Sequence, residues 1–382
     1  MAGKSRGHLP NILILYDFFE PAYKAGGPSV SCANLARLMQ ADFNVSVFTR
    51  AVDIDGTVLD VPQDQWTNLS SGIRVYYAAT QWNLRGLLAA IQQTDPDIIY
   101  LNGVFSWVCT LLPLLLLKLR IAKASMILAP RGMLQVSSLN IKRWKKKTYL
   151  PLLRMLLDTA VKLHVTSVQE ESELPLALPS VAKKSTVLVH NVPNAGIMVR
   201  KNYVREGRLR LVTIALISPM KQILEVLQAL NTCECEVIYH LYGPVHDEQY
   251  WKQCQDVVQR MRPGVEFQYF GPLVPGKVPE VLSGYDVYIQ PSKSENFGHS
   301  LYEAMMVGLP VITSHGTPWQ NLDQQNAGWN VESTSGIALA ISAAADLMDD
   351  RYGAMSKAAR LVVDHHNDAQ NYLKDYTELF SL

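Results

Sequence analysis

Apolar and polar positions alternate along this chain in two long series separated by one polar interval. Residues Asn11 to Tyr16 form a continuous apolar run, the pattern of a strand buried on both faces of a parallel sheet. A loop rich in turn residues follows, DFFEPAYKAGGPS, and then a helical pattern over Val30 to Met39. Asn44 to Thr49 predicts the next strand. Further short strands are expected at Ile98 to Leu101, Ser125 to Ala129, Leu163 to Thr166 and Thr186 to Val189. Helical segments separate them, which predicts βαβ units and a parallel sheet.

The pattern pauses at His190 to Arg208, HNVPNAGIMVRKNYVREGR, which is polar, charged and rich in turn residues. A second series then runs through Leu211 to Ala215, Val237 to Tyr242, Val265 to Tyr269, Asp286 to Gln290 and Val311 to Thr313. The expected fold is α/β, with doubly wound domains over residues 1–200 and 201–360 facing a central cleft. A C-terminal helix over 361–382 is expected to pack back towards the first domain. Ligands of such sheets bind beyond the carboxyl ends of the strands.

Composition narrows the partners. At 382 residues with 48% apolar and 18% charged residues, the chain is long enough for two full cores. A net charge of +1 gives no global electrostatic case for nucleic acid. Five scattered cysteines point to reduced thiols, and Cys233 and Cys235 stand too close together for zinc spacing. The apolar run near the N-terminus is too short for a signal peptide. Val108 to Leu117 falls short of the ~20 residues that span a bilayer. The expectation is a cytoplasmic protein.

Candidate chemistry concentrates between Asp286 and Trp319, DVYIQPSKSENFGHSLYEAMMVGLPVITSHGTPW. The stretch predicts strand, polar loop, short helix and strand, with Glu295 in the loop and Glu303 in the first turns of the helix. A helix start at the carboxyl end of a buried strand suits a phosphate-bearing ligand rich in hydroxyls. Two other segments sit at equivalent junctions. Lys24-Ala25-Gly26-Gly27-Pro28 follows the first strand, and adjacent glycines allow close backbone approach. Ser218-Pro219-Met220-Lys221 follows the first strand of the second series, where Lys221 would open a helix and neutralise a diphosphate. The GxGxxG dinucleotide fingerprint is absent.

The string ENFGHSLYEAM followed by GLPVIT resembles the E-x7-E motif of retaining glycosyltransferases of family 4, which have the GT-B fold. Tyr23 to Pro28 is similar to that family's glycine loop, and Ala129 to Leu134 to its PRGML segment. His164-Val165-Thr166-Ser167 with Glu170 or Glu171 resembles its H-x-T-S-x-x-E segment, and Ile217 to Ile223 its donor-diphosphate loop. The resemblance implies a hexosyltransferase that is retaining, metal-independent and free of cofactors. Its substrates would be a nucleoside diphosphate sugar and a glycan or lipid-linked glycan acceptor in surface polysaccharide biosynthesis.

By the same resemblance Glu303 would hold the ribose. Glu295, with Asn296, Phe297 and Gly298, would hold the donor sugar, and Gly26, Gly27 and Lys221 the diphosphate. Glu295, Lys221 and Asn102 would form the catalytic centre. The family commonly has Gly-Arg where this chain has Ala215 and Leu216, so Arg131 is a candidate replacement cation or acceptor contact. Lys24 and His299 are further phosphate or acceptor candidates. Asn102 occupies the position of a family histidine. These departures keep a non-catalytic sugar-nucleotide-binding subunit open as an alternative, and a GT-B sugar-nucleotide epimerase is another. Finally, the basic cluster Lys142 to Lys147 opens an amphipathic segment over 142–158 suited to peripheral contact with the inner face of a membrane.

Overall fold

The computed structural model describes residues 9–139, 143–157, 160–180, 185–194, 207–368 and 370–381. The chain divides into two compact units, Met1–Val192 with Asn371–Leu382, and Pro193–Gln370. The expected boundaries lay at 200 and 360. The polar interval therefore falls in the second unit from Pro193 onward, and the chain returns to the first only at Asn371.

The first unit is built on β1 (Asn11–Leu15), β2 (Asn44–Arg50), β3 (Trp66–Asn68), β4 (Arg74–Ala78), β5 (Ile98–Asn102), β6 (Ser125–Ala129), β7 (Lys162–Val165) and β8 (Thr186–Leu188). Their order is β3-β4-β2-β1-β5-β6-β7-β8, parallel apart from the β3–β4 pair. Winding runs outward in both directions from β1, so the topological switch point lies between β1 and β5. Alternation along the central strands sends residues to opposite faces. Leu13, Leu15, Phe48, Leu101 and Leu128 enter one core. Ile12, Ile14, Val47, Tyr100 and Ile127 enter the other.

Helix α1 (Gly27–Met39) covers the second face. The C-terminal helix Tyr372–Phe380 joins it there through buried Tyr376, Leu379 and Phe380. Strands β3 and β4 were not expected from the sequence; β3 forms the sheet edge and β4 lies between it and β2. β3 has only three residues, none of them buried.

The second unit carries β9 (Leu209–Ile214), β10 (Val237–Tyr242), β11 (Val265–Tyr269), β12 (Val287–Gln290), β13 (Val311–Ser314) and β14 (Gly328–Val331). They form one parallel sheet in the order β11-β10-β9-β12-β13-β14, with the switch point between β9 and β12. The short edge strand β14 was not expected from the sequence. Helix α2 (Ile223–Leu230) packs in the core on one face, and α3 (His299–Met306) in the core on the other. The long helix α4 (Asp349–Asp368) lies against α3 and buries Ala359 and Val363. Both units are Rossmann-like, as the alternating pattern predicts. Among the described residues no helix is long and apolar enough to cross a membrane. All five cysteines are free thiols, four of them buried.

Candidate active site

The site grows from the two loops that leave the carboxyl ends of β9 and β12, on either side of the second switch point. After β9 the chain makes a single tight turn over Pro219–Lys221, and Gln222 then adopts a left-handed conformation with φ 52°. Helix α2 starts only at Ile223. Lys221 therefore sits in the turn ahead of the helix and does not open it, because the left-handed residue interrupts the backbone first.

The loop after β12 is tied to this turn by the Lys293 amide, which donates to the Met220 carbonyl at 2.9 Å. Here the Lys221 ammonium forms an ion pair with Glu295 Oε1. The same oxygen accepts from Gln290 Nε2 at 2.8 Å and from Ser292 Oγ at 2.7 Å. Behind it, Gln290 Oε1 accepts from the Tyr288 hydroxyl at 2.7 Å and the Ser300 hydroxyl at 2.9 Å. Tyr288, Gln290, Ser292 and Ser300 are the residues that sequence reasoning missed. A polar Gln closing an otherwise apolar buried strand was the available signal.

Gly298 turns the loop into α3. Its φ is 77°, and a Cβ there would lie 3.1 Å from Leu301 Cδ1 and 3.2 Å from Trp319 Nε1. Glycine is required on both counts. The Trp319 indole donates to the Phe297 carbonyl at 2.8 Å, and the His299 ring packs on Phe297 with centroids 4.7 Å apart. The loop Glu295-Asn296-Phe297-Gly298 is thus held by its own aromatic neighbours. No side chain caps the start of α3. Glu303 stands one turn further in. Burial pushes its carboxyl up to about 7, against a hydrogen bond with Asn194 that lowers it.

In the first unit, Gly26 has φ 79° and precedes α1, whose N-terminus has no side-chain cap and carries Pro28. The other expected residues are engaged elsewhere. The Lys24 ammonium pairs with Asp55 at 2.7 Å and bonds Thr57 at 3.1 Å, so its charge is already met. Arg131 is 5% exposed, and its guanidinium donates to Asn102 Oδ1 at 2.7 Å, to the Tyr100 hydroxyl at 2.8 Å and to Asn191 Oδ1. That enclosure corrects the expectation that Arg131 replaces the missing diphosphate cation.

Asn102 is likewise buried, holding Arg131 on its oxygen and donating to the Pro28 carbonyl at 3.4 Å. It supports the glycine loop and is not displayed as a catalytic group. Of the two candidate acids in the H-x-T-S-x-x-E segment, the buried one is Glu170. It accepts from the amides of Gly132 and Thr166. In the basic segment 142–158, residues 142 and 158 and the side chains of Arg143, Trp144, Lys145 and Lys147 lie outside the described residues; the helix there runs Arg143–Leu156.

The family model of glycosyl transferases group 1 matches residues 197–362, the span that holds Lys221, Glu295 and Glu303. Residues 197–362 belong to the group 1 glycosyltransferases, and the whole chain has the GT-B fold. Sucrose-phosphate synthase from Thermosynechococcus elongatus matches 97% of this chain and 98% of its own with a TM-score of 0.72, at 18% identity. HepE of Anabaena, in complex with UDP and glucose, matches over the same shares with a TM-score of 0.68 and 15% identity. WaaG, a glycosyltransferase involved in lipopolysaccharide biosynthesis, covers 96% of this chain and 98% of its own, with a TM-score of 0.66 and 13% identity. No curated protein matches the chain in sequence.

The Glu303 carboxyl gives the glycosyltransferase domain a testable signature. Its folded value of about 7 exceeds the usual 4.5, so folding favours the protonated form. The resulting stability is complete below the usual value and is lost as pH rises through the folded one. Thermal unfolding of Glu303→Gln should show a melting temperature close to wild type at about pH 4 and above it at about pH 8. A constant difference across that range contradicts the assignment.

Proposed function

We propose that this group 1 glycosyltransferase is a retaining, metal-independent hexosyltransferase. It moves a sugar from a nucleoside diphosphate sugar to a glycan or lipid-linked glycan acceptor in surface polysaccharide biosynthesis. The observation that carries the reading is the Lys221–Glu295 ion pair at the switch point of the second sheet, one loop away from the uncapped start of α3. A cation and a carboxylate converge beside a helix start, where open parallel sheets bind nucleotides. Two neighbours in structure point the same way: HepE has been captured with UDP-glucose, and WaaG acts in lipopolysaccharide biosynthesis.

In this reading the donor diphosphate takes over the Lys221 ammonium, and Glu295, still aligned by Gln290 and Ser292, turns to the sugar hydroxyls. Glu303 accepts both hydroxyls of the ribose, and the amides of Phe297 and Gly298 lie beside the sugar. An acceptor hydroxyl attacks C1 from the face that the diphosphate leaves. The new C–O bond forms as the C1–O bond to phosphate breaks, and the hydroxyl proton passes to a phosphate oxygen. Glu295 makes no covalent bond to the sugar: one of its oxygens is held by three donors, which fits positioning better than attack. Rate enhancement comes from alignment and from charge stabilisation on the leaving nucleotide.

One observation favours a second reading. Leu216 stands in place of a cation, and the enclosed Arg131 does not replace it. The chain would then bind sugar nucleotides without transferring them. Incubation with labelled nucleotide sugars and an acceptor panel separates the two: binding without transfer or donor hydrolysis favours the second.

Under the first reading, Glu303→Ala loses donor binding in a calorimetric titration. Glu295→Ala lowers kcat by about 10²–10³ while keeping measurable donor affinity. Proton NMR of the product should show the anomeric configuration of the donor, and an inverted product removes the retaining mechanism. A lipid-linked acceptor would bring segment 142–158 to the membrane surface. Co-sedimentation with vesicles of anionic phosphatidylglycerol, abolished by high salt, is the expected outcome; sedimentation with neutral vesicles alone contradicts it.

A further inference from the structure

Arg50 is a cation on the ligand-binding edge of the first unit that the mechanism leaves unused. It ends β2, at the carboxyl edge of the sheet, and its amide donates to the Asp17 carbonyl at 3.3 Å. Its guanidinium carbon lies 6.0 Å from the centre of the Phe18 ring and 5.8 Å from that of Trp82. Trp82 is itself stacked on Phe48 with centroids 5.6 Å apart and planes 8° from parallel. The guanidinium is therefore held by aromatic rings and forms no hydrogen bond and no ion pair among the described residues; the nearby Asp17 carboxylate feels its charge but is bonded to Ser106. The neighbouring cations differ. Lys24 is met by Asp55, Arg37 by Glu20, and Arg131 is enclosed.

The surroundings are those of a binding site. Asp17 follows β1 and Ser106 follows β5, and the Ser106 hydroxyl donates to Asp17 Oδ1 across the switch point of this sheet. Arg50 is the next residue along the same edge. A guanidinium supported by rings keeps its in-plane N–H groups aimed outward in a fixed fork. That fork matches the paired oxygens of a carboxylate or phosphate, and its rigidity lowers the entropy lost on binding. Trp82 cannot serve instead as a stacking platform for a neutral sugar, because Arg50 and Phe48 already lie against it.

We propose that Arg50 recognises an oxyanion on the acceptor, so that this glycosyltransferase acts on an acidic acceptor, either a uronic acid or a sugar phosphate. The inference rests on the transfer reading above and adds the acceptor's chemical class. Asp17 and Ser106 would contact hydroxyls of the same sugar.

The test is binding of glucuronate, glucose 6-phosphate and glucose, each titrated by saturation-transfer NMR into wild-type protein and Arg50→Gln. Saturating nucleoside diphosphate fills the donor site throughout, so that phosphate cannot report from there. Wild-type protein should bind one of the two acids more tightly than glucose, and which acid wins identifies carboxylate or phosphate. Arg50→Gln should weaken that acid by about tenfold or more, the loss expected for a charge-assisted bidentate contact. Glucose and nucleotide binding should not change. Arg50→Lys, which keeps the charge without the fork, should fall in between. Acids that bind no better than glucose, or that bind Arg50→Gln as well as wild type, overturn the proposal and would leave Arg50 as packing between Phe18 and Trp82. Failure of the nucleoside diphosphate to bind at all would instead overturn the transfer reading.

Discussion

Lys221 and Glu295 are opposite charges that share one partly buried position. Their side chains are 18% and 13% exposed, so each has lost much of its water. A single charge at that depth is unfavourable, whereas a pair offsets part of the penalty, and removing either partner leaves the other uncompensated. The pair also crosses the switch point of the second sheet, joining the loop after β9 to the loop after β12. The Gln290 and Ser292 bonds behind Glu295 and the Lys293–Met220 backbone bond lie at that same junction. A ligand with its own negative charge can replace Glu295 at Lys221 without exposing a bare cation at any stage. That exchange is the one the proposed diphosphate would make.

The first unit handles its central cation in the opposite way. Arg131 has no carboxylate partner among the described residues and is satisfied by neutral oxygens from Tyr100, Asn102 and Asn191. Tyr376 of the C-terminal helix packs its ring edge-on against His164, with centroids 5.4 Å apart, beside the same hub. On the far side of the turn, Glu170 takes the amides of Gly132 and Thr166. Burial on this scale rigidifies the ends of β5, β6 and β7. Asn102 passes that rigidity to the glycine loop through the Pro28 carbonyl. One cation is half-buried against a single carboxylate and the other is enclosed by neutral oxygens, so the difference lies in their partners.

Much of this was legible in residue order. The apolar run of β1 and the alternation of the later strands fix two Rossmann-like units, because a buried parallel strand has few other sequence patterns available. The Glu295–Glu303 spacing, with Gly298 between, marks the loop-to-helix turn because a φ of 77° with contacts near 3 Å admits little but glycine. What could not be read is the state of each charge. Lys24 meets Asp55 31 residues away, and Arg131 finds its partners 29, 31 and 60 residues away. Long-range pairing of that kind leaves no local spacing. The same holds for Gln222, whose left-handed backbone delays α2 and moves Lys221 out of the helix.

The most direct measurement is a calorimetric titration of nucleoside diphosphate into the wild-type protein and Lys221→Met. If the diphosphate replaces Glu295 at the Lys221 ammonium, the substitution removes a charge-assisted contact and leaves Glu295 facing the phosphates. Affinity should then fall by about tenfold or more. Equal affinities would place the diphosphate elsewhere and contradict the account.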